Sequence, residues 1–149
     1  MEMILFVGIQ ATGKSEFYKC HFYKTHMRIN LDMLRTRNRE NILINACIHA
    51  KQPFVVDNTN PTVVDRERYI AAAKDAGFTV SGYYFQSAIK EAITRNEERS
   101  GKECLPIQAL LATHSKLELP SYDEGFDKLF YVRIGPDRDF IVEEYQDEI

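Results

Sequence analysis

The sequence has no long hydrophobic run and few cysteines, and these absences exclude several classes of protein. No apolar stretch among its 149 residues approaches the roughly 18–20 residues that a membrane-spanning helix needs. The three cysteines are widely spaced and form no Cys-x-x-Cys pair, so we expect three reduced thiols rather than a disulfide framework. The chain also begins without the basic and apolar segments of a secretory signal peptide. We therefore expect a cytoplasmic protein that binds no membrane.

The sequence also has little net charge and no histidines at metal-ligand spacing. A net charge of −3 argues against a protein that binds nucleic acid over its whole surface. The charge is uneven, however, because residues 24–39 are basic and the C-terminal segment is acidic. A local basic patch beside an active site is enough for a substrate with a few phosphates, although a solvated arginine-rich helix face gives the same pattern. The basic residues are Lys24, Arg28, Arg35, Arg37 and Arg39 against the acid Asp32, and the acidic C-terminal residues are Glu143, Glu144, Asp147 and Glu148.

The motif GIQATGKS at residues 8–15 has the GxxxxGK[ST] spacing of a phosphate-binding loop. Its glycines allow a tight turn whose backbone N–H groups converge on phosphate oxygens. Lys14 can reach the β- and γ-phosphates of a nucleotide, and the Ser15 hydroxyl can ligate the bridging Mg²⁺. The apolar strand pattern before the motif and the helical pattern after it are the expected context. The sequence therefore predicts an ATP site that includes Gly8, Gln10, Ala11, Thr12, Gly13, Lys14 and Ser15.

Strand and helix patterns alternate along the whole chain. Apolar runs predict strands at 3–7, 26–30, 53–57, 78–85 and 128–134, with a short edge strand at 140–142. Helices are predicted at 14–25, at 38–51, from Pro61 to a stop at Gly77, from a cap at Ser87 to Arg99, and at 106–116. This order predicts an α/β fold, a P-loop kinase-type open parallel sheet of about five strands with helices on both faces. We expect a single domain over residues 1–149, with ligands beyond the carboxyl ends of the strands.

Asp32 is the residue that favours a kinase over other nucleotide-binding proteins. In phosphoryl transfer a carboxylate orients the attacking hydroxyl and accepts its proton. Arg35 follows three residues later, and in a helix this spacing puts both side chains on one face. Arg35 could then hold a phosphate of the acceptor while Asp32 faces the hydroxyl. The alternative is that Asp32 serves only as a helix cap.

Asp57 ends the apolar strand at 53–57 and is a second carboxylate that can face the metal site, through water or a lid arginine. Asn58 and Thr59 follow it directly. We place these three residues, with Arg35, on the acceptor side of the site. Turn and cap formation is at least as plausible a role for Asn58 and Thr59 as substrate contact.

Arg95 and Arg99 stand four residues apart and project from one helical face, just before a break at residues 100–102. A mobile lid delivers guanidinium groups over ATP in this way, and glycine supplies the mobility. We expect a helical lid at about residues 95–106. The alternative is a solvated surface pair, which is the commoner fate of exposed arginines.

Four segments together resemble the polynucleotide 5′-hydroxyl kinase domain family. They read GIQATGKS, NLDMLR, FVVDNTNPTVVDRERYIAAAKDAGF and RNEERSGKECLP, and the likeness runs from residue 3 to about residue 133. Members of this family include bacteriophage polynucleotide kinase and the kinase domain of polynucleotide kinase–phosphatase. The resemblance implies transfer of the γ-phosphate of ATP to the 5′-hydroxyl end of DNA or RNA, as in nucleic acid repair.

The resemblance also implies a role for each matching residue. Asp32 would be the general base, Arg35 would engage the phosphate of the acceptor, and Arg99 would stabilise the migrating charge. Lys14 and Ser15 would hold ATP phosphates and Mg²⁺, and Arg95 would lie near the nucleotide base. One departure is that family members carry Asn-Arg before the aspartate, whereas Asn30-Leu31 precedes Asp32 here, so the acceptor side differs.

Two other functions fit the same residues. A small-molecule P-loop kinase acting on a sugar acid, nucleoside, antibiotic or nucleotide-sugar would share the loop, the base and the lid. The basic run at residues 24–39 favours a polynucleotide, because a neutral metabolite needs no phosphate-binding arginines. A non-catalytic ATP-binding module needs neither an acceptor base nor lid arginines. A homodimer or higher oligomer is compatible with the sequence.

Overall fold

The computed structural model of the protein describes residues 1–146, so Asp147 and Glu148 of the acidic C-terminal segment lie outside the described residues. The described strands form one six-stranded sheet in the order β2-β3-β1-β4-β5-β6. The first five of these strands are parallel, and β6 pairs antiparallel with β5 at the edge. This sheet confirms the predicted α/β fold. The strands are β1 (Glu2–Val7), β2 (Met27–Ile29), β3 (Phe54–Val56), β4 (Thr79–Phe85), β5 (Lys128–Ile134) and β6 (Phe140–Glu144).

Helices follow the parallel strands along the chain. Among residues 1–146, no helix has the length and apolar character needed to cross a bilayer. Two short 3₁₀ segments, Gly101–Glu103 and Tyr122–Glu124, lie in the connections. The α-helices are α1 (Lys14–His21), α2 (Leu31–Leu34), α3 (Arg37–Ala50), α4 (Val63–Asp75), α5 (Ile89–Glu97) and α6 (Ile107–Lys116).

The central strand β1 is buried on both faces, as its unbroken apolar run predicts. Met3, Leu5 and Val7 pack in a core cluster with residues of α3 and α4. Ile4 and Phe6 point the other way and pack in a second cluster with residues of α1. The period of two along a strand therefore distributes the helices over both faces of the sheet.

Two predicted helix starts are wrong. Pro61 does not open α4, since Thr62 is the N-cap and forms a reciprocal capping box with Asp65. Ser87 does not cap α5, whose N-cap is Ala88 without a side-chain bond. The Ser87 hydroxyl instead accepts a hydrogen bond from the backbone N–H of Ile9 at 3.1 Å.

The predicted end of α4 is confirmed, whereas α1 is shorter than predicted. α4 ends at Asp75, and Gly77 adopts a φ of +80°, a conformation that favours glycine. α1 ends at His21 rather than at residue 25. The chain then turns, with the N–H groups of Thr25 and His26 both bonded to the carbonyl oxygen of Phe22, and enters β2. This tight turn brings the edge strand directly beside β3.

Candidate active site

Three segments leave the carboxyl ends of neighbouring strands and meet above the sheet. The phosphate loop follows β1, residues 30–35 follow β2, and residues 57–60 follow β3. Since these strands are parallel and adjacent in the order β2-β3-β1, their carboxyl ends lie along the same edge. The residues of the phosphate loop and the predicted acceptor residues are therefore collected at one place, although they are far apart in the sequence.

The phosphate loop is held in shape by bonds to other segments. The N–H of Gly8 donates to the carbonyl oxygen of Thr59 at 3.0 Å. Gly13 has a φ of +93°, and a Cβ there would lie 2.9 Å from the ring of Phe140 on β6. Glycine is required at this position for both reasons, because the backbone is left-handed and the ring packs directly on it.

Two loop side chains bind the protein itself and leave the backbone to face a ligand. The amide nitrogen of Gln10 donates to the hydroxyl of Thr113 on α6 at 2.9 Å. The hydroxyl of Thr12 donates to the carbonyl oxygen of Ile9 at 2.8 Å. We infer that Gln10 and Thr12 shape the loop through these bonds and that their backbone N–H groups are the part of them available to phosphate.

Lys14 is buried, and its ammonium group is folded back onto the loop. The Nζ atom donates to the carbonyl oxygens of Gly8 at 2.9 Å and Ile9 at 2.6 Å. Burial lowers the pKa of Lys14 from 10.5 to about 8. The negative charge of Asp57 opposes this shift, the positive charge of Arg99 adds to it, and the negative charge of Asp32 also opposes it. Asp32, Asp57 and Arg99 therefore lie close enough to the loop lysine for their charges to influence its pKa.

Replacing Lys14 by methionine is expected to weaken ATP binding by about 10- to 100-fold, because charge-assisted hydrogen bonds contribute about 1.5–3 kcal/mol. Turnover should fall further, since the ammonium also stabilises charge that develops in the transition state. Calorimetric titration with ATP and a steady-state kinase assay measure the two effects. Lys19→Met is the matched control, since Lys19 lies on the same helix and is exposed. Undiminished binding by Lys14→Met would contradict the assignment of the loop.

Ser15 and Asp57 form a pair of oxygen donors at the end of the loop. The hydroxyl of Ser15 donates to Oδ2 of Asp57 at 3.1 Å, and the Asp57 side chain is only 2% exposed. Mg²⁺ binds through one or two carboxylate or hydroxyl oxygens and completes its shell with water and phosphate. The pair fits such an ion, which would neutralise charge between the β- and γ-phosphates when bound.

Arg28 contacts both members of this pair, and sequence reasoning counted it only as one of five residues in a basic run. Its Nε donates to Oδ2 of Asp57 at 2.8 Å, and its Nη2 donates to Oγ of Ser15 at 2.9 Å. No local signal in the sequence identifies this contact, because a charged side chain on an edge strand is commonly solvated.

The segment after β3 connects the other parts of the site. The Oδ1 atom of Asn58 accepts from the N–H of Leu31 at 2.9 Å, and its Nδ2 donates to Oε2 of Glu40 at 3.1 Å. Asn60, buried and with a φ of 44°, donates from Nδ2 to the carbonyl oxygen of Phe6 at 2.8 Å. Asn58 and Asn60 thus position α2 and the end of β1. Acceptor binding by Asn58 and Thr59 stays a prediction.

Asp32 stands in the first turn of α2, and the alternative role proposed for it is wrong. The cap of this helix is Asn30, whose Oδ1 accepts from the N–H of Met33 at 3.0 Å and whose Nδ2 donates to the backbone oxygen of Asp57 at 2.6 Å. Asp32 is exposed and, within the part of the chain that the structure describes, its carboxylate has no hydrogen bond or ion pair. It is therefore available to bind an external group.

Arg35 does not share a helical face with Asp32, so the expected arrangement of both side chains on one face of a helix is wrong. α2 ends at Leu34, and Arg35 adopts φ 75° and ψ −35°, which is a strained conformation for a residue with a side chain. The short helix ends here because Thr36 immediately caps α3. The Arg35 side chain is exposed and, within residues 1–146, makes no hydrogen bond or ion pair. It is available to bind an anion beside Asp32.

A cluster around Glu40 adds two more guanidinium groups next to α2. Glu40 is fully buried, and its Oε1 accepts from Arg37 at 3.0 Å, from Arg68 at 3.1 Å and from the hydroxyl of Tyr69 at 2.9 Å. The side chains of Arg37 and Arg68 are about half exposed. Arg37 is thus more than part of a solvated helix face, and Arg68 was missed because it lies on another helix.

The predicted lid arginines do not share a helical face, because α5 ends at Glu97 and Arg99 lies beyond it. Arg95 donates from Nη1 to the carbonyl oxygen of Ala11 at 3.0 Å and pairs with Glu91 on its own helix. Arg99 donates weakly to the backbone oxygen of Glu103 at 3.4 Å, and its charge reaches Lys14. The two arginines are therefore more than a solvated pair.

Asn96 holds the two arms of this segment together, and sequence reasoning missed its role. Its side chain is almost fully buried between α5 and the chain that leads to α6. Its Nδ2 donates to the backbone oxygen of Leu105 at 2.7 Å, and its Oδ1 accepts from the N–H of the same residue at 2.9 Å. Arg95 and Arg99 flank this clamp, so the position of both guanidinium groups depends on it.

A phosphate loop between a buried parallel strand and a helix, with a carboxylate and arginines around its lysine, defines a P-loop kinase. The fold of such a kinase binds ATP. Residues 3–120 match the model of a family described as an AAA domain, and the chain belongs to that family.

Curated relatives carry a more specific name. The chain is 29% identical over 132 residues to the bifunctional polynucleotide phosphatase/kinase of Schizosaccharomyces pombe. The alignment covers 84% of this chain and 32% of that protein. It is 27% identical over 135 residues to a putative bifunctional polynucleotide phosphatase/kinase of Acanthamoeba polyphaga mimivirus. That alignment covers 86% of this chain and 32% of the mimivirus protein. The chain thus spans about a third of the length of these relatives.

A solved gluconokinase from Sinorhizobium meliloti has a similar fold. The TM-score is 0.64 at 17% identity, and the match covers 88% of this chain and 81% of that one. At this identity the likeness shows the fold alone.

Proposed function

We propose that this kinase transfers the γ-phosphate of ATP to a 5′-hydroxyl end of DNA or RNA, with Asp32 as the general base. The observation that carries the proposal is the state of Asp32. Its carboxylate is exposed and unpaired among the described residues, yet its charge acts on the buried ammonium of Lys14. A carboxylate that is free and close to the phosphate site is what an attacking hydroxyl requires. Mg²⁺, held by Ser15 and Asp57, would complete the donor side.

The charges around α2 support an acceptor that carries phosphates. Arg35 is exposed and unpaired among the described residues, and Arg37 and Arg68 are half exposed around the buried Glu40. These two guanidinium groups share one carboxylate, so the cluster keeps a net positive charge. Backbone phosphates of a polynucleotide are suitable ligands for such a surface. A neutral metabolite would leave these charges without a function.

The names of the curated relatives point to the same substrate class. One is named a polynucleotide phosphatase/kinase and the other a putative one, and the matches cover 84% and 86% of this chain. The chain covers about a third of each relative, so the assignment of the kinase activity to this region is part of the proposal. We further propose that residues 1–149 form one kinase domain and that residues 95–106 act as a lid that closes over ATP.

The decisive experiment offers the protein several acceptors with Mg²⁺ and γ-labelled ATP. The acceptors are 5′-hydroxyl DNA, 5′-hydroxyl RNA, mononucleoside 3′-phosphates and a panel of sugar acids, nucleosides and antibiotics. We expect label at the 5′ end of the polynucleotides and none on the same strands that already carry a 5′-phosphate. Transfer only to a metabolite would support the small-molecule kinase instead. ATP binding without transfer to any acceptor would support a non-catalytic module.

Replacing Arg35 by alanine is expected to raise the KM for a 5′-hydroxyl oligonucleotide by about 10- to 100-fold, the effect of one lost charge-assisted contact. The kcat should change little, because the contact is made in both ground and transition states. Steady-state kinetics with the oligonucleotide varied at saturating ATP measures both constants. Lys128→Ala is the control, since Lys128 is exposed at the amino end of β5, away from the carboxyl ends that hold the site. Unaltered oligonucleotide kinetics in Arg35→Ala would remove this residue from the acceptor site.

A further inference from the structure

Arg28 occupies the candidate metal site, and the proposed reaction gives it no role. It lies in β2, where its Cα is paired with that of Val55 in the parallel register. Val55 lies in β3 and packs in the core cluster that includes residues of α1. Asp57 comes two residues after Val55 in the same extended segment. Side chains two residues apart share a face, so Arg28 and Asp57 both point to the face covered by α1. Ser15 begins that helix with Lys14.

The guanidinium of Arg28 bridges the two oxygens that would hold a divalent cation. Nε donates to Oδ2 of Asp57 at 2.8 Å and Nη2 donates to Oγ of Ser15 at 2.9 Å. The Ser15 hydroxyl donates to the same Oδ2 atom at 3.1 Å. Arg28 therefore takes up a lone pair on each of these oxygens and brings one positive charge to them.

The surroundings of Arg28 allow its side chain to leave. The side chain is 28% exposed, whereas that of Asp57 is 2% exposed. β2 is the first strand of the sheet and has no neighbour on its outer side among the described strands. The guanidinium can therefore turn into solvent without crossing the core. The ring of Tyr18, whose centroid is 5.9 Å from Cζ of Arg28, flanks this position.

We propose that Arg28 is an internal counter-cation: it holds Ser15 and Asp57 together in the nucleotide-free chain and releases both oxygens when a divalent cation enters with the nucleotide. One cation then replaces another, so the buried carboxylate of Asp57 stays neutralised in both states. The inference rests on the metal site placed at Ser15 and Asp57 under the proposed function, and it is independent of the acceptor. It makes Arg28 a positioning residue that sets how strongly the protein binds free metal.

The binding of Mn²⁺ to the nucleotide-free protein, measured by electron paramagnetic resonance, tests the exchange. Arg28→Met keeps much of the side-chain volume and removes the charge, and we expect it to bind Mn²⁺ about tenfold more tightly than the wild type, because a repelling charge next to the site is gone. Arg28→Lys should fall between the two. Lys128→Met, which removes an exposed positive charge from the amino end of β5, should bind as the wild type does. An affinity of Arg28→Met equal to or below that of the wild type overturns the proposal.

Asp57→Asn separates a failure of this inference from a failure of the metal site. If Ser15 and Asp57 form the site, Asp57→Asn should bind Mn²⁺ more weakly than Arg28→Met. Equal binding by the two variants would remove the metal site from these residues and the exchange with it. The assay contains no acceptor, so the polynucleotide activity is tested separately by the labelling experiment.

The wild-type protein provides a second test, in which Arg28→Lys serves only to assign a resonance. The side-chain Nε–H resonance of Arg28 can be identified by nuclear magnetic resonance as the signal missing from Arg28→Lys. We expect it to shift to the position of a solvated arginine when Mg²⁺ and ADP are added together, and to stay unchanged with ADP in the presence of a chelator. An Arg28 resonance that keeps its position with Mg²⁺ and ADP contradicts the exchange.

Discussion

Replacing Asp32 by asparagine is expected to lower kcat for 5′-phosphorylation by about 10²- to 10⁴-fold, the range that a positioned general base contributes. ATP affinity should stay within a factor of about three, because Asp32 makes no contact that shapes the phosphate loop. The fold should also be retained, since the cap of α2 is Asn30 and the amide of asparagine has nearly the shape of the carboxylate. The change is therefore confined to the chemistry.

The comparison requires two further variants. Asp32→Glu keeps the carboxylate but moves it, so it should recover part of the lost rate. Asp75→Asn, an exposed aspartate at the end of α4, should leave the rate unchanged. Single-turnover kinetics with saturating ATP and oligonucleotide measures the chemical step, and calorimetry measures ATP binding. Unchanged turnover of Asp32→Asn would exclude this residue from the mechanism and remove the main support for the proposed function.

Replacing Arg66 by methionine is expected to lower the free energy of unfolding by about 3–5 kcal/mol, the usual effect of removing one partner from a buried ion pair. The side chain of Arg66 is fully buried, and that of Glu124 is 8% exposed. Two guanidinium nitrogens donate to the Glu124 carboxylate at 2.7 and 3.1 Å, and the third donates to the carbonyl oxygen of Asn60 at 2.9 Å. Methionine leaves the carbonyl oxygen of Asn60 without this donor and removes both guanidinium donors from the Glu124 carboxylate, which keeps the N–H of Ser121.

An exposed ion pair of similar length is the control. Arg133 and Glu143 are 2.9 Å apart with side chains 40% and 53% exposed, so Arg133→Met should change stability by less than about 1 kcal/mol. Urea denaturation of both variants, followed by far-ultraviolet circular dichroism, gives the free energies and the m-values. Similar effects for Arg66→Met and Arg133→Met would show that burial does not govern the strength of these pairs.

The Arg66 variant also tests how the site depends on the core. Asn60 accepts a bond from Arg66 and itself donates to the end of β1. Loss of Arg66 should therefore loosen the segment after β3 and weaken ATP binding, even though no atom of Arg66 is exposed. The double variant Arg66→Met/Glu124→Leu should recover part of the stability, because it removes the unpaired carboxylate as well.

The outline of the fold could be predicted because its signals are local. The apolar run of β1, the spacing of Gly8, Gly13 and Lys14, and the turn at Gly77 each depend on residues a few positions apart. The predicted start of α5 failed because a distant partner uses the same side chain. Ser87 has the chemistry of a cap, but its hydroxyl binds the N–H of Ile9, 78 residues earlier.

The candidate site was predictable only in part, for a related reason. The phosphate-loop motif identified Lys14, and Asp32 and Asp57 were identified because they come shortly after apolar strands. Their mutual proximity, the strained backbone of Arg35 and the contacts of Arg28 were not visible in the sequence. The sequence does not show whether a charged side chain is solvated or bridges the two oxygens of the candidate metal site. Only its neighbours in space distinguish these two environments.

The sequence by itself determined the α/β class, the phosphate loop and the kinase chemistry, because periodicity and spacing fix local geometry and the residues that can contact phosphate. Only the tertiary structure decided which charges are buried and with whom they pair. Glu40, Arg66 and Asn96 show why: burying a charged or polar group is unfavourable unless a partner satisfies it. Arg68 and Glu124, the partners of the first two, lie 28 and 58 residues away in the chain, so the close-packed fold supplies what the sequence order cannot indicate.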